Sequence, residues 1–124
     1  MKLRMALASA LLIGSFGCGA YSPQGPSPDP PPPVTGGTPA SIVSGASLLT
    51  TTAYTPSPVT VAVGGTVTWT NNDTTTHTST GNNGAWNSGN IAPGGKFSTT
   101  FSSAGSFTYH CTIHPGMVGT VTVQ

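Results

Sequence analysis

The sequence predicts an all-β fold, a small sandwich of about seven short strands. Three observations support this prediction. Apolar and polar residues alternate in several short runs, turns rich in Gly, Pro and Asn separate these runs, and no amphipathic helical pattern appears. The chain has 124 residues. This length suits one small domain, because domains typically contain about 100–150 residues.

The predicted strands follow one another along the second part of the chain. Alternation of apolar residues marks them at residues 59–63, 67–69, 97–101, 107–111 and 121–123. Apolar pairs at residues 42–43 and 48–49 predict one or two more strands. The strands and their turns together occupy the part of the chain from residue 41 to residue 124, which we interpret as a single domain.

The first forty residues are predicted to direct export and to act as a tether. Residues 1–20 start with Lys2 and Arg4, continue with an apolar stretch and end in small residues, a pattern typical of a signal peptide. Residues 21–40 contain eight of the 12 prolines. Because proline fixes φ and lacks a backbone donor, this stretch is predicted to be an extended spacer.

A cysteine lies between the signal and the spacer. Residues 15–18 resemble a bacterial lipobox, in which the cysteine becomes the lipidated first residue. Lipidation of Cys18 would tether the protein to a membrane, whereas cleavage after Ala20 would discard the cysteine. In either case we expect an exported protein of the bacterial periplasm or cell envelope, with Cys18 not paired to Cys111.

Charged residues are scarce, at 4% of the chain, and Asp73 and Lys96 carry the only full charges beyond residue 40. Nucleic-acid binding is excluded because a basic patch is missing. Glycosidase and aspartic-protease chemistry need a pair of carboxylates, which is also missing. No stretch is long and apolar enough to predict a mature transmembrane helix.

The residues that indicate chemistry lie near the C-terminus. Cys111, His114 and Met117 form the pattern C-x2-H-x2-M at the end of a predicted strand. A thiolate, two imidazoles and a weak axial thioether make up the blue-copper arrangement, so one further histidine is required. His110 neighbours Cys111 on the strand and should point to the opposite face, which leaves His77.

These residues belong to a wider pattern that resembles the cupredoxins, in particular the plastocyanin/amicyanin group of blue copper proteins. The resemblance covers roughly residues 42–124 and is carried by residues 67–78, 88–89, 93–97 and 105–121. It implies a Greek-key β-sandwich of about seven to eight strands. It also implies one copper ion cycling between Cu(I) and Cu(II), with His77, Cys111 and His114 as equatorial ligands and Met117 as the axial ligand. The spacing from His114 to Met117 looks like the short amicyanin loop.

The resemblance also implies how the protein would work. It predicts a carrier that shuttles single electrons between redox proteins, with the outer edge of His114 as the electron port. Pro115, Gly116 and Ile113 would form an apolar docking patch around it. Thr78 would brace the Cys111 loop through its hydroxyl. We expect a monomer.

Two other functions stay open from the sequence. One is copper storage or delivery in the periplasm, and the other is a structural β-domain with a degenerate or zinc-filled site. Enzymatic activity is not expected, because four protein ligands leave no open position for a substrate.

Several other side chains receive simpler interpretations. Trp69 and Phe107 are predicted to be core residues. Trp86 lies in a loop rich in Gly and Asn and is interpreted as a surface aromatic without an assigned role. Asp73, four residues before His77, is interpreted as a turn residue rather than as part of a Ser/His/Asp site. His110 is interpreted as a surface residue, with a secondary electron port as the alternative.

Overall fold

A computed structural model describes residues 37–124 and confirms the all-β prediction. The predicted signal peptide, the lipobox and nearly all of the tether lie outside the described residues. Eight strands are present in the described range: β1 (Thr38–Ile42), β2 (Tyr54–Thr55), β3 (Val59–Val61), β4 (Thr66–Asn71), β5 (Thr80–Gly81), β6 (Lys96–Thr100), β7 (Gly105–His110) and β8 (Val118–Val123).

The strands form two four-stranded sheets, in the orders β2-β1-β4-β6 and β3-β8-β7-β5. β1 pairs in parallel with β4, and β3 pairs in parallel with β8, whereas the other pairings are antiparallel. Both sheets are therefore mixed, as expected of a sandwich whose connections cross between the two layers.

The alternation in the sequence matches the two faces of each strand. In β4, Val67, Trp69 and Asn71 are fully buried, while the threonines between them face outward. On that outer face, the hydroxyl groups of Thr66 and Thr68 form hydrogen bonds of 2.8 Å with those of Thr100 and Ser98 of β6, respectively. Such cross-strand pairs contribute roughly 0.2–1 kcal/mol each. Hydroxyl groups thus make this face polar, together with Lys96, which lies opposite Thr70 on β6.

Two sequence predictions about this part of the chain are wrong in detail. β1 begins at Thr38, so the folded unit starts inside the predicted tether. Residues 48–49, predicted as a strand, instead belong to a turn with a short 3-10 helix at Ala46–Leu48. The turn begins at Gly45, whose φ of 73° is readily adopted only by glycine, and it leaves Leu48 89% exposed.

Within residues 37–124 no helix has the length and apolar character that crossing a membrane requires.

Candidate metal centre

Three of the four predicted ligands meet at one end of the sandwich. Cys111 directly follows β7, His114 lies three residues further on, and His77 belongs to the segment that links β4 and β5. The Cys111 Sγ lies 3.8 Å from Nδ1 of His77 and 3.9 Å from Nδ1 of His114. The three ligand atoms all lie within 4.8 Å of one another.

This spacing fits a single metal ion. An ion bound at about 2.0–2.3 Å from one sulfur and two nitrogens in a plane would hold these atoms about 3.5–4 Å apart. The two sulfur–nitrogen distances fall in this range. The donor set of thiolate and imidazole, with a thioether in the same loop, is the set that suits copper in both oxidation states.

The cysteine is fully buried and unpaired in the described part of the chain. The Thr78 N–H donates to the Cys111 Sγ over 3.3 Å. In turn, the Thr112 N–H donates to the Thr78 Oγ1 over 2.9 Å. The predicted brace by the Thr78 hydroxyl is therefore confirmed, and it ties the segment carrying His77 to the loop carrying Cys111 and His114.

The ligand loop is short and closed by its own backbone. The Met117 N–H donates to the His114 carbonyl over 2.9 Å, and the Cys111 N–H donates to the Met117 carbonyl over 3.1 Å. Met117 is fully buried, whereas His114 is only partly buried. Of the three predicted ligands in this loop, His114 thus lies at the surface, while Cys111 and Met117 lie inside.

His77 is fully buried and fixed from two sides. Its backbone exchanges two hydrogen bonds with Ile91, of 3.2 and 2.8 Å. Its Nε2 lies 2.8 Å from the Oδ2 of Asp73. A carboxylate accepts but does not donate, so this contact keeps the proton on Nε2 and leaves the Nδ1 lone pair on the side of Cys111.

Asp73 is therefore more than the turn residue that the sequence suggested. Its other oxygen accepts the N–H groups of Gly45 and Thr74, over 3.0 and 2.8 Å. The hydrogen bond from His77, followed by the Gly45 N–H, lowers the pKa of Asp73 from 3.8 to about 2. Because the pKa is lowered in the folded state, the stabilisation is fully present above pH 3.8 and is lost as the pH falls to about 2.

Asn71 shapes the segment that carries Asp73 and His77. Its side chain is fully buried, and its Nδ2 donates to the carbonyls of Thr75 and Ile91 over 2.8 and 2.9 Å. Its Oδ1 accepts the Asp73 N–H over 2.9 Å. This amide thus satisfies three backbone groups beside the site.

Two other side chains lie apart from the ligand cluster. His110 is half-buried and its Nδ1 lies 2.6 Å from the Asn82 Oδ1, on the opposite face of β7 from the core. Trp86, interpreted from the sequence as a surface aromatic, is instead only 7% exposed. Its Nε1–H donates to the Ser79 Oγ over 3.0 Å.

A buried thiol between two imidazoles, at one end of a two-sheet sandwich, defines a copper-binding β-sandwich protein. Residues 43–124 match the sequence family described as copper binding proteins, plastocyanin/azurin family. The chain belongs to this family, whose members are in general copper electron-transfer proteins, and its site fits a single type 1 copper.

Solved structures agree with this assignment. A novel purple cupredoxin from Nitrosopumilus maritimus is 34% identical, with a TM-score of 0.65, over 70% of this chain and 99% of its own. A variant of amicyanin in the reduced Cu(I) form at pH 4 is 30% identical, with a TM-score of 0.58, over 72% of this chain and 83% of its own. A second Cu(I) amicyanin variant is 28% identical, with a TM-score of 0.58, over 71% and 82%. No curated protein matches the chain in sequence.

Proposed function

We propose that this protein is an exported, monomeric one-electron carrier. His77, Cys111 and His114 would be the equatorial ligands of one copper ion, and Met117 the axial ligand. The observation that carries the proposal is the cluster of three ligand atoms within 4.8 Å of one another. When bound, copper supplies the Cu(I)/Cu(II) couple.

In this proposal the protein would keep the ligands in fixed positions while the copper ion changes its oxidation state. Thr78 donates to the Cys111 sulfur, which stabilises negative charge on the thiolate. Asp73 fixes the tautomer of His77, and the short loop fixes Met117 relative to His114. Since His77, Cys111 and Met117 are fully buried, little solvent has to reorganise near the metal.

His114 is the ligand that would connect the copper to a partner, because it alone of the four is not fully buried. Ile113 is 46% exposed, and Pro115 and Gly116 are also exposed, as the docking patch requires. Leu48, which the sequence did not suggest, adds an apolar side chain at the same end. Its turn is held there by the Gly45 N–H bonded to Asp73 and by the Thr50 carbonyl, which accepts the Val118 N–H over 3.3 Å.

The copper proposal is tested by titrating the purified protein with Cu(II) while recording visible absorption and EPR. We expect saturation at one equivalent, an intense blue band and a narrow copper hyperfine splitting. His114→Gln should lose this signature, whereas the matched variant His110→Gln should retain it. A colourless or pale protein with ordinary copper hyperfine splitting would overturn the proposal.

Electron transfer and copper delivery are separated by a second measurement. A carrier should show rapid, reversible electrochemistry and should keep its Cu(I) when challenged with a Cu(I) chelator. Burial of three of the four proposed ligands favours retention. Fast loss of Cu(I) to the chelator, with sluggish electrochemistry, would instead favour storage or delivery.

We further propose that residues 1–20 contain a lipoprotein signal that ends before Cys18, that Cys18 carries a lipid anchor and that residues 21–37 link the anchor to the folded domain. The C-terminal domain would then be held near a membrane without entering it. Expression in a bacterium, followed by membrane fractionation, tests this. Cys18→Ser should release the protein from the membrane fraction, and unchanged fractionation would reject lipidation.

A further inference from the structure

Trp86 links the metal centre to a second region of the surface. Its side chain is 7% exposed and lines a surface cavity of about 240 Å³ together with Ala85, Phe101 and Phe107. The chain contains two tryptophans, and the other, Trp69, is fully buried. Trp86 is therefore the tryptophan that a small molecule in the cavity can approach.

A short chain of hydrogen bonds runs from Trp86 to the Cys111 sulfur. The Trp86 Nε1–H donates to the Ser79 Oγ over 3.0 Å. Ser79 follows Thr78 directly, and the Thr78 N–H donates to the Cys111 Sγ over 3.3 Å. The indole and the thiol are thus joined by two hydrogen bonds and one peptide link.

Aromatic contacts provide a parallel connection. The ring centroids of Trp86 and Tyr109 lie 5.7 Å apart. The ring centroids of Tyr109 and Tyr54 lie 4.7 Å apart. The Tyr54 hydroxyl donates to the Thr78 carbonyl. Burial raises the pKa of Tyr109 to about 12. Burial together with the nearby Cys111 charge also raises the pKa of Tyr54, so both phenol hydroxyls stay protonated. The two tyrosines therefore form part of this connection as neutral side chains.

We propose that Trp86 is a second electron port, through which the reduced site passes one electron to a small one-electron oxidant in the cavity. The oxidant takes one electron from the indole of Trp86 and is itself reduced by one electron. With copper bound as Cu(I), the metal site would return one electron to the indole and would be left as Cu(II), while the indole keeps its N–H proton hydrogen-bonded to Ser79. The inference rests on the proposed copper function, and it adds a port used by diffusible radicals rather than by a docked protein.

Pulse radiolysis with the azide radical as oxidant tests this on the full chain, in a Tyr21→Phe background that removes the tyrosine outside the described domain. In the Cu(I) protein, the indole radical should decay in a fast first-order phase, and the blue absorption should grow at the same rate. In metal-free protein carrying Cys111→Ser, this fast phase should be lost. Equal radical lifetimes in the two proteins would overturn the port.

Three variants locate the route. Trp86→Phe should lose the fast growth of blue absorption, whereas the matched variant Trp69→Phe should retain it. Ser79→Ala, which removes one hydroxyl, should slow the decay of the Trp86 radical if the hydrogen-bonded path carries the electron. Undiminished fast growth in Trp86→Phe would overturn the proposal. If the unaltered protein lacks a blue band, the copper function fails and the port fails with it, whereas a blue protein without the fast phase refutes the port alone.

Discussion

Replacing Asn71 with alanine should weaken both the fold and the metal centre. The buried amide satisfies the carbonyls of Thr75 and Ile91 and the N–H of Asp73. A net contribution of about 1 kcal/mol per hydrogen bond gives a loss of about 3 kcal/mol. For a domain of this size, that corresponds to a fall in Tm of about 12–24 °C.

The effect should reach the metal through the segment between Asn71 and His77. Once the amide is gone, neither the Thr75 carbonyl nor the Asp73 N–H has its buried partner. The contact between Asp73 and His77 depends on this conformation, because both side chains leave the same short segment. We therefore expect Asn71→Ala to bind Cu(II) more weakly as well as to unfold earlier.

The neighbouring residue provides the matched control. Asn72 is exposed, and its amide donates to the hydroxyl of Ser41. Asn72→Ala should change the free energy of unfolding by no more than about 0.5 kcal/mol. The assay is urea unfolding of the metal-free proteins, followed by Cu(II) titration. If the two variants lost similar stability, the role given to the buried amide would be wrong.

Four further substitutions test other parts of the site. Cys111→Ser should abolish the intense thiolate-to-copper absorption, and a retained blue band would contradict its assignment as a ligand. Met117→Gln should keep copper but lower the reduction potential measured by voltammetry, since a harder oxygen donor favours Cu(II); an unchanged spectrum and potential would refute the axial role. Asp73→Asn should raise the potential, because a negative charge that favours Cu(II) is removed, and a lower potential would contradict this reasoning. Gly119→Ala would place a methyl group 2.5 Å from the Tyr109 ring. It should therefore cost about 1–3 kcal/mol in urea unfolding, and a neutral result would show that Tyr109 moves aside readily.

The sandwich could be predicted because most of its strands alternate cleanly. Val67, Trp69 and the threonines around them show period-2 alternation in the sequence, and the same residues alternate between core and surface in β4. The turn at residues 46–48 could not be predicted in this way. Leu48 and the neighbouring Leu49 look like part of a strand in the sequence, but the left-handed backbone at Gly45 turns the chain before them.

The cluster of His77, Cys111 and His114 could be predicted because Cys111 and His114 are close in the sequence and because few histidines remained for the third position. The hydrogen bond between Asp73 and His77 could not be predicted. In a helix, residues four apart lie on one face, but Asp73 and His77 lie in an irregular segment, where spacing says nothing about proximity. The segment that brings them together is held by hydrogen bonds of Asn71, which no sequence pattern indicates.

The burial of Trp86 could not be predicted for a related reason. Its neighbours in the sequence are those of an exposed loop, yet Gly81 of β5 leaves space for its ring. A Cβ at Gly81 would lie 2.9 Å from Cε3 of Trp86. The burial of the indole therefore depends on the missing side chain of a residue on another element, a relation that only the folded structure reveals.

The distribution of charged side chains determines how strongly a partner would be attracted to the site by electrostatics. In residues 37–124, Asp73 is the only acidic side chain, and it is buried against His77. Lys96 is the only basic one apart from the histidines, and it lies on β6 beside Thr70 near the end of β4. As far as residues 37–124 are concerned, the surface around His114 therefore has no acidic patch with which to attract a basic partner. Electrostatic steering should therefore be weak, and under the proposed function a partner would bind there mainly by burial of apolar side chains such as Leu48 and Ile113.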